Sequence, residues 1–155
     1  MGFDSDEGVC LKGPPLILER PHEVVILRGL PASGKTTWAT ALVQATPFYK
    51  RVSKDDLRAM LDAGVYSPEH EAFIRRARDL LIQDAVAHGH SVIVDDTNLN
   101  PEHVEHIRAL VASFNVTVRV VDIVCSVEDA IARDATRAKP VGAERIRAMA
   151  EQYQI

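Results

Sequence analysis

The sequence predicts an α/β fold in which a parallel β-sheet of about four to five strands is flanked by helices on both faces. Three observations support this prediction. Short runs rich in valine and isoleucine alternate along the chain with longer segments of helical periodicity. The first run leads through a glycine-rich loop directly into a helical segment, and a later run ends in two consecutive aspartates. Strands that alternate with helices pair in parallel through right-handed crossovers, which places helices on both faces of the sheet.

Four apolar runs are the predicted strands, and the amphipathic segments between them are the predicted helices. The strands are expected at residues 23–29, at the start of 49–61, at 91–96 and at 116–125. The helices are expected at residues 34–45, in the rest of 49–61, and at 67–89, 100–114, 126–138 and 142–153. Three helices have predicted N-caps, which are Ser67, Asn100 and Ser126. The 67–89 helix has an apolar stripe that is expected to face the core, comprising Phe73, Ala77, Leu80, Leu81 and Ala85.

Length and composition restrict the class of protein. The chain has 155 residues, 46% of them hydrophobic, which is enough for one domain with its own core. Its formal net charge of −4 means that the chain has no overall positive field to attract long nucleic acid. This charge does not exclude a local basic patch on the surface. The two cysteines lie far apart and form neither a disulfide framework nor a zinc motif. Because the acidic N-terminus is unlike a signal peptide and no apolar run reaches membrane length, we expect a cytoplasmic protein without a membrane partner.

Residues 1–22 are predicted to form a partly ordered N-terminal arm, and residues 23–155 to form the folded domain. The arm begins with an acidic, polar stretch and contains a Lys-Gly-Pro-Pro breaker cluster. Its residues 16–20 are compatible with a short edge strand or with a loosely docked segment. Nothing in the sequence indicates an oligomeric state.

The loop after the first strand has the pattern of a P-loop. Gly29, Gly34, Lys35 and Thr36 satisfy G-x-x-x-x-G-K-[ST] in full, and the required strand precedes them and the required helix follows. Glycines let successive backbone N–H groups point inward at phosphates, where the positive end of the helix adds to the attraction. We expect ATP or another NTP to bind with Mg²⁺, Lys35 to reach the β- and γ-phosphates, and the Thr36 hydroxyl to ligate the metal. The expected nucleotide-binding residues of this loop are Gly29, Ala32, Ser33, Gly34, Lys35, Thr36 and Thr37.

P-loops occur in motor proteins, in nucleotide-dependent switches and in kinases. The length and motifs of this chain favour a small kinase. The chain is short for a motor domain, and it lacks both the Asn-Lys-x-Asp guanine reader and a switch Asp-x-x-Gly after the second strand. A kinase needs a carboxylate near the acceptor hydroxyl, ligands for the metal, and arginines over the transferred phosphoryl group. The predicted fold is therefore a single P-loop kinase domain with a helical lid.

Two acidic pairs follow predicted strands, where open parallel sheets gather their sites. Asp55 and Asp56 follow the second strand, although such residues also favour a helix N-terminus for electrostatic reasons alone. Asp95 and Asp96 end the third strand, and we expect at least one of them to contact the metal or its water.

Arginines form two groups. Arg133 and Arg137 have i, i+4 spacing and are expected on one helix, either pointing together at the phosphates or forming a solvated face. The other group consists of Arg75, Arg76 and Arg78. The simpler interpretation of this cluster is a solvated helix face, and the alternative is a patch that contacts a nucleic-acid backbone.

Four motifs resemble those of the 5′-hydroxyl polynucleotide kinases, in particular the kinase module of the phage end-healing type. They are GLPASGKTTWA, SKDDLR, DDTNLNP and ARDATRAKPVGAERIRAM, and the resemblance as a whole covers roughly residues 23–152. The resemblance implies transfer of the NTP γ-phosphate to the 5′-OH end of DNA or RNA. It also implies the following roles: Asp55 as general base, Arg58 on the phosphate beside the acceptor nucleoside, Asp96 supporting the metal-water shell or Arg58, and Arg137, with Arg133, stabilising the phosphoryl group from a lid.

The chain departs from this family at several points. Lys54 stands where the phage type has arginine, the segment after Arg137 is shorter, and the Asp-x-Asp-Gly-Thr motif of a phosphatase domain is missing, so we expect no 3′-phosphatase activity. Two other hypotheses stay open. One is a kinase for a small acceptor, such as a nucleotide, nucleoside, sugar or drug. The other is an NTP-binding regulatory module.

Overall fold

The computed structural model describes residues 22–155. The expectations for the N-terminal arm, including an edge strand at residues 16–20, fall outside the described residues. Within them, no helix is both long and apolar enough to cross a membrane. The cytoplasmic location stays a prediction.

In the described part of the chain, four parallel strands form one sheet in the order β2-β3-β1-β4. They are β1 at Glu23–Arg28, β2 at Tyr49–Val52, β3 at Ser91–Val94 and β4 at Thr117–Asp122. The register pairs Ile26 of β1 with Val94 of β3 on one side and with Val120 of β4 on the other. The predicted parallel α/β sheet is therefore confirmed, and the carboxyl ends of β1, β2 and β3 lie side by side.

Among residues 22–155, six helices connect and cover the strands. They are α1 at Lys35–Ala45, α2 at Lys54–Leu61, α3 at Pro68–Ala87, α4 at Pro101–Leu110, α5 at Val127–Asp134 and α6 at Ala143–Tyr153. The three predicted N-caps are confirmed, because the side chains of Ser67, Asn100 and Ser126 each accept a backbone N–H bond from the first turn of their helix.

The core lies on both faces of the sheet, because successive side chains of a strand point to opposite sides. Val24 and Ile26 pack on one face against buried residues of α3 and α4. Val25 and Leu27 pack on the other face against Ala39 of α1. A third cluster joins α5 and α6 to the residues that follow β1 and β3. This cluster attaches the C-terminal part of the chain beside the P-loop.

The buried stripe of α3 differs from the expected one. Phe73, Leu80 and Leu81 are exposed, and Ala77 and Ala85 are only partly buried. The residues that α3 buries are Glu71, Ile74, Arg78, Ile82 and Val86. The prediction was wrong because it excluded charged residues from the core face, whereas Glu71 and Arg78 are buried with partners of opposite charge.

Candidate active site

The loop between β1 and α1 curls tightly at two glycines. A Cβ on Gly29 would lie 2.6 Å from the carbonyl oxygen of Ile123, so no side chain fits there. Gly34, which caps α1, has φ +109°, a conformation that residues with side chains rarely adopt. Ala32 also has a positive φ, of 59°. Such a run of alternating backbone conformations, ending at a helix N-terminus, makes a concave site for anions.

Lys35 is buried beneath this loop. Its Nζ donates to the carbonyl oxygens of Gly29 at 3.1 Å and Leu30 at 2.5 Å, and to Ser33 Oγ at 3.3 Å. Burial lowers the pKa of Lys35 to about 8, and Asp95 partly opposes the shift. The amine is therefore held within the loop where the phosphates of a nucleotide are expected.

Asp95 lies against the same loop. Its Oδ2 accepts a hydrogen bond from Thr36 Oγ1 at 2.8 Å and another from Arg51 Nε at 2.7 Å. Arg51 also pairs with Asp56. A hydroxyl and a buried carboxylate at the N-terminus of α1 are hard oxygen ligands that fit Mg²⁺, which usually takes one or two carboxylates together with substrate phosphates. Accordingly, residues 22–155 contain no cluster of three or more His, Cys, Asp or Glu side chains able to hold a metal ion.

Asp96 points away from Thr36, toward α2 and α3. Its Oδ1 accepts the backbone N–H of Lys54 at 3.0 Å, and its Oδ2 lies 3.7 Å from Arg78 Nη1. Burial raises the pKa of Asp96, although nearby Lys54 opposes the shift. The structure thus pairs Thr36 with Asp95, whereas the resemblance implied that Asp96 supports the metal-water shell or Arg58. The physical reason is that neighbouring residues at a strand end point to opposite sides.

Asn98 joins the ends of β1 and β3. Its Nδ2 donates to the carbonyl oxygen of Leu27 at 2.8 Å, and Gly29 N donates to the carbonyl oxygen of Thr97 at 3.1 Å. These bonds hold the segment after β3 against the P-loop. The sequence analysis assigned no role to Asn98, although it lies within the DDTNLNP motif.

Asp55 and Arg58 form a pair on the first turns of α2. Arg58 Nη1 donates to Asp55 Oδ1 at 2.7 Å, and the Asp55 side chain is 76% exposed. On its other side Arg58 binds Glu71 through two nitrogens at 2.9–3.1 Å, and this carboxylate raises the pKa of Arg58. The ring of Tyr66, which is 65% exposed, lies 5.8 Å from the Arg58 guanidinium. Neither Glu71 nor Tyr66 belongs to a recognisable motif, so the sequence did not identify them as site residues.

The two lid arginines do not share a helix as expected. Arg133 lies in the last turn of α5, 3.4 Å from the carbonyl oxygen of Ser33. Arg137 lies in the bend that follows, 3.4 Å from Asp134 Oδ1. The helix ends early because the buried carboxylate of Asp134 accepts the N–H groups of Val141 at 3.0 Å and Gly142 at 2.8 Å, which turns the chain toward α6. Burial alone would raise the pKa of Asp134, but these bonds outweigh it and lower the pKa.

One cavity of about 1270 Å³ extends from Lys35 and Asp95 to Asp55 and Arg58. Every sequence-predicted site residue except Gly29 lines it, namely Ala32, Ser33, Gly34, Lys35, Thr36, Thr37, Asp55, Arg58, Asp96, Arg133 and Arg137. It is also lined by residues without an expected role, including Arg51, Tyr66, Glu71 and Arg145. The cavity therefore joins a phosphate-binding half at the P-loop to a half built by α2 and the start of α3.

Comparisons with known proteins agree with this architecture. An L-seryl-tRNA(Sec) kinase of Methanococcus maripaludis is 32% identical over 83 residues, which are 48% of this chain but only 30% of the relative's length. A chain of the Pnkp1/Rnl/Hen1 RNA repair complex superposes with a TM-score of 0.76 at 24% identity, over 86% of this chain and 44% of that one. The APS kinase CysC of Mycobacterium tuberculosis gives a TM-score of 0.62 at 22% identity, over 88% and 78% of the two chains.

A gluconokinase of Sinorhizobium meliloti 1021 gives a TM-score of 0.56 at 16% identity, over 86% of this chain and 75% of that one. Identities this low establish the shared fold alone, which is that of P-loop kinases. The family model for the AAA domain matches residues 24–155, nearly all that the structure describes. The chain belongs to the AAA domain family.

Proposed function

We propose that this protein is a polynucleotide 5′-hydroxyl kinase, which transfers the γ-phosphate of ATP or another NTP to the 5′-OH end of DNA or RNA. The observation that carries the proposal is the hydrogen-bonded pair of Asp55 and Arg58 in the same cavity as Lys35 and Thr36. A carboxylate exposed in the cavity and a neighbouring guanidinium are what a hydroxyl acceptor with an adjacent phosphate requires.

The donor half of the cavity holds the nucleotide. The N–H groups of the loop, the N-terminus of α1 and Lys35 bind the β- and γ-phosphates. Thr36 and Asp95 would hold Mg²⁺, which neutralises charge on the phosphate oxygens when it is bound. We assign the metal side to Asp95 in place of Asp96, because Asp95 alone of the two hydrogen-bonds Thr36. Asp96 instead fixes the start of α2 through the backbone N–H of Lys54.

The acceptor half performs the proton transfer. Asp55 takes the proton of the 5′-OH, the hydroxyl oxygen forms a bond to the γ-phosphorus, and the bond from that phosphorus to the bridging oxygen of the leaving diphosphate breaks. Arg133 and Arg137 lie on the lid side of the same cavity, where they stabilise the charge on the migrating phosphoryl group.

The acceptor is recognised by Arg58 and Tyr66. A guanidinium has five N–H donors, and the bonds to Glu71 and Asp55 leave at least one of those on Nη1 for a phosphate on the 3′ side of the terminal nucleoside. Tyr66 has an exposed aromatic ring beside this guanidinium, on which the nucleobase of the acceptor stacks. The similarity in fold to a chain of an RNA repair complex supports a nucleic-acid end as acceptor.

A kinase for a small acceptor is the second candidate, and one observation favours it. Asp55 and Glu71 already surround Arg58 with two carboxylates, so an uncharged acceptor such as a sugar would meet less repulsion there than a phosphate. The similarity in fold to a gluconokinase and an APS kinase is compatible with this reading.

Transfer of labelled γ-phosphate distinguishes the two candidates. The acceptors to compare are 5′-OH oligonucleotides of DNA and RNA, a nucleoside 3′-monophosphate, the plain nucleoside, and an uncharged sugar such as glucose. We expect the oligonucleotides and the 3′-monophosphate to be phosphorylated and the nucleoside to be a poor acceptor. Asp55→Asn should keep ATP binding and lose roughly 10²–10⁴-fold in turnover, the usual contribution of a general base.

The matched control is Asp56→Asn, which changes the neighbouring carboxylate that pairs with Arg51 instead of Arg58. It should lower turnover less than Asp55→Asn does. Equal use of nucleoside and nucleoside 3′-monophosphate by the wild-type protein would overturn the polynucleotide reading and support the small-acceptor kinase. A reversed ranking of the two variants would move the general base to Asp56.

A further inference from the structure

The buried residues of α3 are all apolar toward its C-terminus, whereas two of those nearer its N-terminus are charged. Toward the C-terminus it consists of Ile82 and Val86, which pack in the apolar core. Toward the N-terminus it carries Glu71 and Arg78, which are 8% and 4% exposed. Buried charges persist only where partners compensate the lost hydration. The partner of Glu71, Arg58, lines the acceptor half of the cavity, whereas Arg78 pairs with Asp79 of α3 itself and lies 3.7 Å from Asp96, which also lines the cavity.

Glu71 holds Arg58. Both of its carboxylate oxygens accept hydrogen bonds from the guanidinium at 2.9–3.1 Å. This bidentate contact fixes the plane of the Arg58 guanidinium. A different nitrogen of Arg58 then reaches Asp55 at 2.7 Å. The orientation of the Asp55 carboxylate therefore depends on Glu71, which contacts Asp55 only through Arg58.

Arg78 reaches the same turn from another side. Its Nη1 lies 3.7 Å from Asp96 Oδ2, and Asp96 Oδ1 accepts the backbone N–H of Lys54, the residue that precedes Asp55. Arg78 is itself held by Asp79 at 2.8 and 3.0 Å, and Asp79 lies 2.7 Å from Nε2 of His106 on α4. These contacts connect the outer helix α4 to the first turn of α2.

We propose that α3 is the scaffold of the acceptor half, with Glu71 and Arg78 as positioning residues that fix Asp55 through Arg58 and through Asp96. The inference rests on the proposed function in that Asp55 is the general base. The P-loop and α1 contact neither Glu71 nor Arg78 through any hydrogen bond or ion pair found among residues 22–155. Loss of either residue should therefore impair transfer to the acceptor and leave nucleotide binding intact.

The test compares Glu71→Gln and Arg78→Met with Glu69→Gln on the same helix and Arg108→Met on α4, which change exposed residues. We expect kcat/KM for the acceptor to fall on the order of 10-fold in Glu71→Gln and 10²-fold in Arg78→Met, since small misplacement of reacting groups has effects of this size. The Kd for ATP should stay within about twofold, and both control variants should behave like wild type. Arg78→Lys should recover part of the loss.

A double variant tests whether Glu71 acts through Arg58. Adding Glu71→Gln to Arg58→Ala should cause no further loss, because the intermediate group is already gone. Independent, additive losses would overturn the positioning role. So would ATP affinity that falls in parallel with transfer, because a general loss of structure affects both halves.

Hydrogen exchange separates this inference from the proposed function, since it needs no substrate. Glu71→Gln and Arg78→Lys should speed exchange of the amides in residues 54–58 and leave those in 35–45 unchanged. If the wild-type protein phosphorylates no acceptor tested, the proposed function fails while this measurement still decides the positioning role. Unchanged exchange at residues 54–58 in both variants would overturn it, even where Arg78→Met does not fold.

Discussion

Lys35 should take up a proton when ATP binds. Burial lowers its pKa from the ordinary 10.5 to about 8, so near pH 8 about half of the amines are uncharged before ATP is added. The phosphates favour the ammonium form and raise the pKa on binding, and the bound state therefore carries more protons than the free state. By linkage, uptake should be about 0.5 proton per ATP near pH 8, about 0.9 near pH 9 and below about 0.05 near pH 6.5. The apparent affinity should accordingly weaken as the pH rises above 8.

Isothermal titration calorimetry measures this uptake directly. Titrations of MgATP in buffers of different ionisation enthalpy give the number of protons from the slope of the observed enthalpy. Lys35→Met should abolish the uptake, whereas Lys54→Met, which removes another lysine that lines the cavity, should retain it. No uptake near pH 8 by the wild-type protein, or full uptake by Lys35→Met, would refute the assignment of Lys35 to the phosphates.

Substitutions at four other residues test separate parts of the structure. Asp95→Asn should raise the Mg²⁺ concentration for half-maximal transfer by about 10–100-fold, and an unchanged requirement would remove Asp95 from the metal side. Tyr66→Ala should raise the acceptor KM about 10-fold while Tyr66→Phe changes little, and an equal KM in all three proteins would exclude base stacking. Asp134→Asn should lower the free energy of unfolding in urea by about 2–3 kcal/mol, because Val141 and Gly142 donate to different carboxylate oxygens and the amide nitrogen that replaces one of them cannot accept a bond; a loss below about 0.5 kcal/mol would contradict this anchor. Arg137→Ala should lower turnover more than ATP affinity, and equal losses would assign Arg137 to ground-state binding.

The sequence alone was sufficient for the fold and for the nucleotide-binding loop. The strands and helices followed from periods of hydrophobicity, and the caps Ser67, Asn100 and Ser126 followed from side chains that bond to their own first turn. Gly34 and Lys35 were recognisable because the P-loop is one continuous segment. The caps and the P-loop depend on interactions between residues close together in the chain. The strands are recognisable as local apolar runs even though their partners lie far away in sequence.

Only the tertiary structure decided the contacts between distant segments. It placed Asp95, and not Asp96, on Thr36, because the direction of each side chain depends on the strand's orientation beside α1. It buried Glu71 and Arg78 on α3, at positions outside the apolar stripe that helical periodicity had predicted, because partners brought from α2 and the end of β3 help to compensate their charge. Arg78 also pairs with its chain neighbour Asp79. Glu71 is 13 residues from its partner Arg58, and the rest of α3 and β3 separate Arg78 from Asp96, so a pattern of neighbouring residues does not record these contacts.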